Sequence, residues 1–395
     1  MKFFRPMAIR QSRQLSAAEG LASSQTCREH VMPHSLVWRL KAVTIMLALM
    51  TLPAAASEAR LEPLPAPAPV RAALVELGRH LFFESRLSGD GSRSCATCHQ
   101  PAKGFDDGQA LSRGYNGTEY FRNAPGLLSV RLKSRLMWDG RYSGADLAAV
   151  VREMLTDGQF MNGEVRVMEE RIRQIPPLLA LWRRAFGQAS EPRPEQIFES
   201  ITEYLRSLDF ADTIVDSELR GATTALPPAV HEGLQLFIGK AHCIACHSGP
   251  LLSDGKPHRL GVADPVALSR EPLRTISLLR YYTNMGLPNV MRERGDVGVY
   301  AVSKNPADRG RFITPGLRGL VHTGPYMHNG RYDSLEAVVD FHNDGGGSGS
   351  ELRPLYLTVR ERQALVAFLR SLSAPLPRVA VPPAFDYGLI DEASR

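Results

Sequence analysis

A C-x-x-C-H pentapeptide occurs twice in the chain, as Cys95-Ala96-Thr97-Cys98-His99 and as Cys243-Ile244-Ala245-Cys246-His247. No other feature constrains the fold as much, because this pattern is the attachment signal for c-type haem. Two thiols about one helical turn apart can add to the two vinyl groups of one porphyrin, and the adjacent imidazole then becomes the proximal ligand of the iron. Cys95, Cys98 and His99 are therefore expected to bind one haem, and Cys243, Cys246 and His247 a second. One such motif alone could equally be a zinc site or a redox-active thiol pair. Two of them in one chain favour haem.

The surroundings of the motifs repeat as well. Residues 70–83 (VRAALVELGRHLFF) precede the first and residues 230–238 (VHEGLQLFI) the second, both apolar and helix-like. Further on, residues 360–372 place Leu365, Phe368, Leu369 and Leu372 at helical spacing. Such a segment is expected to be the C-terminal helix that packs on the N-terminal one in a cytochrome c fold. Glu191-Pro192-Arg193-Pro194 opens another helix over 195–208, which reads as lying between the domains, and residues 209–228 read as a linker. Proline and glycine (28 and 33 residues) punctuate the connections, and strand patterning is scarce. The expected fold is mainly α: two cytochrome c-like domains, 57–210 and 211–395, each binding one c-type haem and joined by loops and a linker.

The beginning of the chain reads differently. Residues 42–52 form an apolar run behind Arg39 and Lys41, followed by Pro53-Ala54-Ala55-Ala56-Ser57. That is the pattern of a signal peptide with a small-residue cleavage site, and the run is too short for a comfortable membrane span. Residues 1–31 resemble no signal peptide, and Met32 makes a natural start. Residues 1–56 are thus read as an over-extended start plus signal peptide, with the mature protein exported to the periplasm; an uncleaved anchor is the alternative. Cys27 falls in this segment, which leaves four cysteines, all in the motifs. The net charge of +6, spread over 395 residues, is no nucleic-acid signature.

The ordered motifs resemble the bacterial diheme cytochrome c peroxidase family, which includes the MauG-type protein-oxidising enzymes. The resemblance spans most of residues 72–372. It rests on LGRHLFFESRLSGDGSRSCATCH, RNAP (122–125), MWDGR (137–141), FIGKAHCIACHSGP and TGPYMHNGRYDSLEAVVDFH (323–342). It implies that the N-terminal haem reacts with hydrogen peroxide and the C-terminal haem relays electrons, with a calcium ion between them. The implied electron donor is a small cytochrome or cupredoxin, and a homodimer is compatible with the resemblance. A MauG-like variant would instead oxidise residues of a partner protein. A non-catalytic diheme electron carrier or redox sensor is the alternative from a different class.

Several positions carry over. Trp138 matches the tryptophan between the two haems, where it would help electrons pass or simply anchor the core. Asn123 matches the side-chain calcium ligand, and Thr323 and Pro325 match positions that offer carbonyl oxygens, the hard donors calcium prefers. His328 matches a histidine near the second haem.

Three positions depart. A loop histidine caps the first iron in many relatives; Tyr115 holds that place here. The first haem is then open, or Tyr115 ligates it as phenolate, or Tyr115 is an exposed loop residue. The family's distal glutamate, an acid/base for peroxide cleavage, is replaced by Phe160 in Phe160-Met161-Asn162, with Gln159, Glu153 and Glu164 as possible substitutes. The second haem's sixth ligand, methionine in peroxidases and tyrosine in MauG, corresponds to His342, with Met327 as runner-up and a helix-end hydrogen-bonding histidine as the alternative. A bis-histidine haem has a lower potential than one with methionine.

Overall fold

The computed structural model describes residues 59–222 and 225–387; the export segment assigned to 1–56, with Cys27, lies outside them. The apolar stripe of residues 70–83 folds as α1 (Ala72–Phe83), burying Leu74, Leu77, Leu81 and Phe82. The first motif forms a single turn, α2 (Cys95–Cys98). Then come α3 (Leu147–Thr156), α4 (Val165–Arg173), α5 (Pro176–Phe186) and α6 (Pro194–Arg206). The second half runs through α7 (Ile214–Leu219), α8 (Pro228–Ile238), α9 (Val266–Arg270), α10 (Pro272–Asn284), α11 (Tyr300–Ser303), α12 (Leu335–Asn343) and α13 (Val359–Ser371). Proline opens α5, α6, α8 and α10, at the position where its missing N–H has no helical partner to lose. Among the described residues, strands are limited to two antiparallel pairs, Arg135–Leu136 with Tyr142–Ser143 and Pro257–His258 with Phe312–Ile313. The chain is mainly helical, as expected.

Two hydrophobic cores share one construction. In the first, α1 crosses α6 at Gly78, where an added Cβ would lie 1.9 Å from the Ser200 carbonyl oxygen. In the second, α8 crosses α13 at Gly233, where it would lie 2.1 Å from that of Ala364. Only a residue without a side chain permits backbones to approach so closely. Around these crossings pack Phe82, Leu155, Trp182 and Ile197 in the first core, and Phe237, Val366 and Phe368 in the second. The segment 360–372 thus closes on α8, as expected.

The helix over 195–208 is not a spacer between the cores. As α6 it buries Ile197, Ile201, Tyr204 and Leu205 against α1, the place α13 takes in the second core. Its apolar face is as wide as that of a core helix, and burial of that face decides its position. The stretch read as a linker is also tied down. Asp216 in α7 accepts the Leu64 backbone N–H at 2.9 Å and pairs with Arg318 at 2.7 and 2.8 Å, with both side chains almost fully buried.

A third apolar cluster joins α9, α10 and α11 to a loop of the first half. Leu268, Leu278, Tyr281 and Tyr282 pack with Tyr120 and Phe121, and Phe160 lies against the same cluster. Among the described residues, no helix is long and apolar enough to cross a membrane.

Candidate functional site

Both motifs open onto one cavity of about 670 Å³, lined by Cys95, Cys98 and His99 from the first half and by Cys243, Cys246 and His247 from the second. A capping box, with Ser94 and Thr97 exchanging hydrogen bonds, starts the turn that carries the first pair of thiols. The second pair sits on a 3-10 turn entered through His242 at φ 52°. His99 Nδ1 lies 2.9 Å from the Phe105 carbonyl oxygen, and His247 Nδ1 lies 2.9 Å from that of Leu252. Phe105 and Leu252 both adopt positive φ, 62° and 54°, so each half uses a left-handed residue to present the carbonyl that holds its imidazole. A ring whose Nδ1–H donates to a carbonyl has its tautomer fixed and keeps the Nε2 lone pair for a metal.

The thiols fit attachment better than the competing chemistries. All four are free. Burial pushes Cys95 up to about 12, Cys98 up to about 11 and Cys243 up to about 12, which works against thiol exchange, a reaction of the thiolate. The first motif also lacks company for zinc. Among the described residues, one group alone gathers three metal-capable side chains, Cys246, Asp254 and His258, and its sulfur belongs to the second motif.

His342 ends α12 with the same device as the proximal histidines. Its Nδ1 lies 2.8 Å from the Val338 carbonyl oxygen, the residue is half-buried, and it lines the cavity with His247. Burial pushes both imidazoles down, His247 to about 4, which keeps them in the neutral form a metal requires. Met327 lines the cavity too. Its neighbour His328 is buried, its ring stacked on Phe312 at 3.6 Å and 6.4 Å from the ring of Trp138.

Trp138 and Asn123 meet His328 where the two halves join. Trp138 Nε1 donates to the Asn123 carbonyl at 3.0 Å, and the Asn123 N–H donates to the His328 carbonyl at 2.8 Å. The Asn123 side-chain amide donates to the Gln109 carbonyl at 2.7 Å, which leaves Oδ1 without a hydrogen-bond partner among the described residues. Thr323 and Pro325 line the same cavity. Behind Trp138 a buried ion network holds the wall: Arg122 pairs with Asp139 and Asp296, and Arg141 with Asp139 and Glu153. Burial works against ionising Asp139, but the guanidinium groups of Arg122 and Arg141 outweigh it and hold the carboxyl at about 2.

Around the first motif the structure sorts the sequence candidates. Phe160 lines the cavity; Tyr115 does not. The Tyr115 hydroxyl instead lies next to Gly89, where an added Cβ would be 3.0 Å away, because the loop turns through Asn116 at φ 50° and the Tyr115 N–H is held by the Gln159 carbonyl. The structure thus does not bring Tyr115 to the cavity. The three acid/base substitutes are engaged elsewhere. Gln159 donates to the Ser277 carbonyl at 2.9 Å, Glu153 binds Arg141 and Tyr142, and Glu164 caps α4. From this loop Ser112, Arg113, Gly114 and Tyr120 line the cavity, the Tyr120 ring 5.0 Å from that of Phe160. A gap-free count from Arg122 passes over it; the available signal was an aromatic pair, Tyr120-Phe121, placed directly before Arg122-Asn123.

The chain is similar to proteins of known family. Residues 72–224 match the di-haem cytochrome c peroxidase family. The chain is 45% identical over 358 residues to the cytochrome-c peroxidase IdrP2 of Denitromonas iodatirespirans, covering 90% of this chain and 97% of that one. It is 32% identical to the methylamine utilization protein MauG of Methylorubrum extorquens, covering 81% and 84%. Among solved structures, a MauG-like protein associated with microbial copper homeostasis superposes with a TM-score of 0.64 at 26% identity, covering 81% of this chain and 95% of that one. With two complete haem-attachment motifs on one cavity, the chain belongs to the di-haem cytochrome c peroxidase family and is a peroxidase-type oxidoreductase of two c-type haems.

Proposed function

We propose that the protein reduces hydrogen peroxide at the haem held by Cys95, Cys98 and His99, with electrons relayed through the haem held by Cys243, Cys246 and His247. The observation that carries this reading is the asymmetry of the histidines. His342 joins His247 as a second neutral imidazole with its Nε2 free, whereas His99 is the sole cavity-lining histidine among the described residues of the first half. The second haem would thus have two imidazoles to hold it, His247 and His342, and the first only His99, which would leave room for peroxide. When bound, the haems supply the iron redox chemistry that accepts electrons singly and breaks the O–O bond.

The chain's own residues set the rest. Each core with its motif is a cytochrome c-like domain, 57–210 and 211–395. His99 and His247 are oriented by backbone carbonyls. Trp138, hydrogen-bonded to Asn123 and facing His328, stands where an electron crosses between the halves. Asn123 Oδ1 with the carbonyls of Thr323 and Pro325 forms a hard-oxygen set suited to calcium, which would stiffen that junction. The substrate is hydrogen peroxide, the donor a small reduced cytochrome or cupredoxin in the periplasm, where residues 42–57 would deliver the chain. Two electrons and two protons turn one peroxide into two waters.

A second reading is MauG-like oxidation of residues in a partner protein. It is favoured by Phe160, an apolar ring on the cavity wall at the position where the family resemblance implies a carboxylate that speeds peroxide turnover. Mixing the holoprotein with peroxide, with and without a reduced donor cytochrome, separates the outcomes. Peroxidase action gives a prompt haem spectral change and steady donor oxidation. A spectral change that persists without donor oxidation favours the second reading, and an unchanged spectrum rejects both.

A further inference from the structure

Phe160 occupies the place of the expected distal carboxylate, and Gln159, Glu153 and Glu164 point their polar atoms elsewhere. What stands beside Phe160 on the cavity wall is Tyr120. Its ring packs 5.0 Å from Phe160 and 4.4 Å from Phe121, and its hydroxyl has no hydrogen-bond partner among the described residues. The backbone that carries it is fixed from several directions. Arg274 in α10 donates to the Tyr120 carbonyl, the Tyr120 N–H donates to Ser112 at 2.9 Å, and Phe121 packs on Tyr281 at 5.3 Å. Gln159, next to Phe160, is bound to Ser277 of the same helix. A helix of the second half thus clamps both loops of the wall, so the phenol is held in place before any substrate arrives.

We propose that the Tyr120 hydroxyl is the catalytic hydrogen-bond donor to hydrogen peroxide at the first haem, in the role that a carboxylate has in relatives. This rests on the peroxidase reading above. Tyr120 O–H donates to the outer oxygen and passes its proton there as the O–O bond breaks, so that oxygen leaves as water. The proton of the inner oxygen returns to the phenolate, and tyrosine is regenerated. The remaining oxygen leaves as the second water once the reduced donor has supplied two electrons and solvent two protons. Burial pushes the phenol up to about 12, so it carries its proton throughout the physiological range. Arg141 and Arg122 lie within electrostatic reach and favour the transient phenolate, against Asp139 and Glu153.

The test uses the holoprotein. Tyr120→Phe keeps the ring that packs on Phe160 and removes the hydroxyl alone. The single-turnover rate of the haem spectral change with peroxide is expected to fall about 100-fold, the lower range for loss of a positioned acid/base. Adding Phe160→Glu to that variant is expected to recover most of the loss, because it restores a carboxylate to the same wall. Fluoride binding to the ferric first haem supplies a readout independent of turnover. Its affinity is expected to drop about tenfold in Tyr120→Phe, the worth of one hydrogen bond to a charged acceptor. Unchanged peroxide rate and fluoride affinity in Tyr120→Phe would overturn the assignment while leaving the peroxidase reading intact. If the wild type itself ignores peroxide, that reading fails, and the fluoride comparison still decides whether Tyr120 donates to a ligand on the first iron.

Discussion

The two halves of the molecule are built alike and finished differently. Each crosses two helices at a glycine, each sets two thiols and a histidine at the cavity, and each holds that histidine by a carbonyl from a left-handed residue. They part company on the opposite face. The second half brings His342 from α12 with its Nδ1 already engaged. The first half brings Tyr120 and Phe160, with a helix of the other half across their backbones. The shared part fixes a cofactor, and the unshared part decides what the cofactor does. In the second half two imidazoles would be available to hold a haem, which suits electron passage; in the first a phenol and an aromatic wall would face it, which suits a reacting ligand.

The shared construction is the first thing to break. Gly78→Val and Gly233→Val should each cost about 3 kcal/mol or more, since the new side chain meets a carbonyl that cannot retreat. Matched losses in denaturant titrations of the two variants would sustain the comparison. A mild loss at one site would show that the two crossings do not carry equal weight.

The next prediction strikes the difference. His342→Ala should convert the low-spin component of the absorption and electron paramagnetic resonance spectra to high-spin, and leave the reaction of the first haem with one equivalent of peroxide intact. A spectrum that keeps its low-spin signal would remove His342 from the iron and bring Met327 forward.

Acid tests the charge pairs of the two halves together. Asp139 and Asp216 are both held at about 2; burial opposes ionisation in each case, and arginine partners prevail. A depressed carboxyl stabilises the fold fully above its unfolded value near 4 and loses that contribution as pH falls through the folded one. Stability should therefore be flat down to about pH 4 and then fall towards pH 2, by on the order of 2 kcal/mol for each group. Urea midpoints of wild type and Asp139→Asn across this range would show it, because the variant should have a shallower fall.

The smallest effect is expected at the junction. Trp138→Phe removes the hydrogen bond to Asn123 but retains an aromatic ring. It should slow steady donor oxidation while the first reaction with peroxide keeps its rate. Equal slowing of both would assign Trp138 to the peroxide pocket instead of the path between the halves.

Much of this was legible in the residues, though unevenly. The haem-attachment positions were, because covalent chemistry demands a fixed spacing. So was the pairing of 360–372 with α8, because helical periodicity exposes an apolar face. The helix at 195–208 was found but misplaced, since its position between two motifs suggested a connection whereas its apolar face sends it into the first core. Tyr115 was chosen by counting along a loop. Loops change direction at single left-handed residues such as Asn116, and a count does not register which side chain then turns inward. That His342 would reach the cavity was legible because it sits on a helix, where register is regular.

Taken alone, the sequence determined the cofactors: four thiols and two histidines at one spacing permit little besides two c-type haems, since bond formation depends on local geometry within a turn. Through the family resemblance it also pointed to Phe160 as the residue standing where relatives carry a distal carboxylate. Only the tertiary structure decided what stands there instead. Tyr120 reaches the cavity because Arg274, Ser277 and Tyr281, more than 150 residues later for the first of these contacts, hold its loop and its neighbour's from outside. Contacts of that range depend on how separate segments pack, and packing is set by the whole core, not by any one stretch of chain.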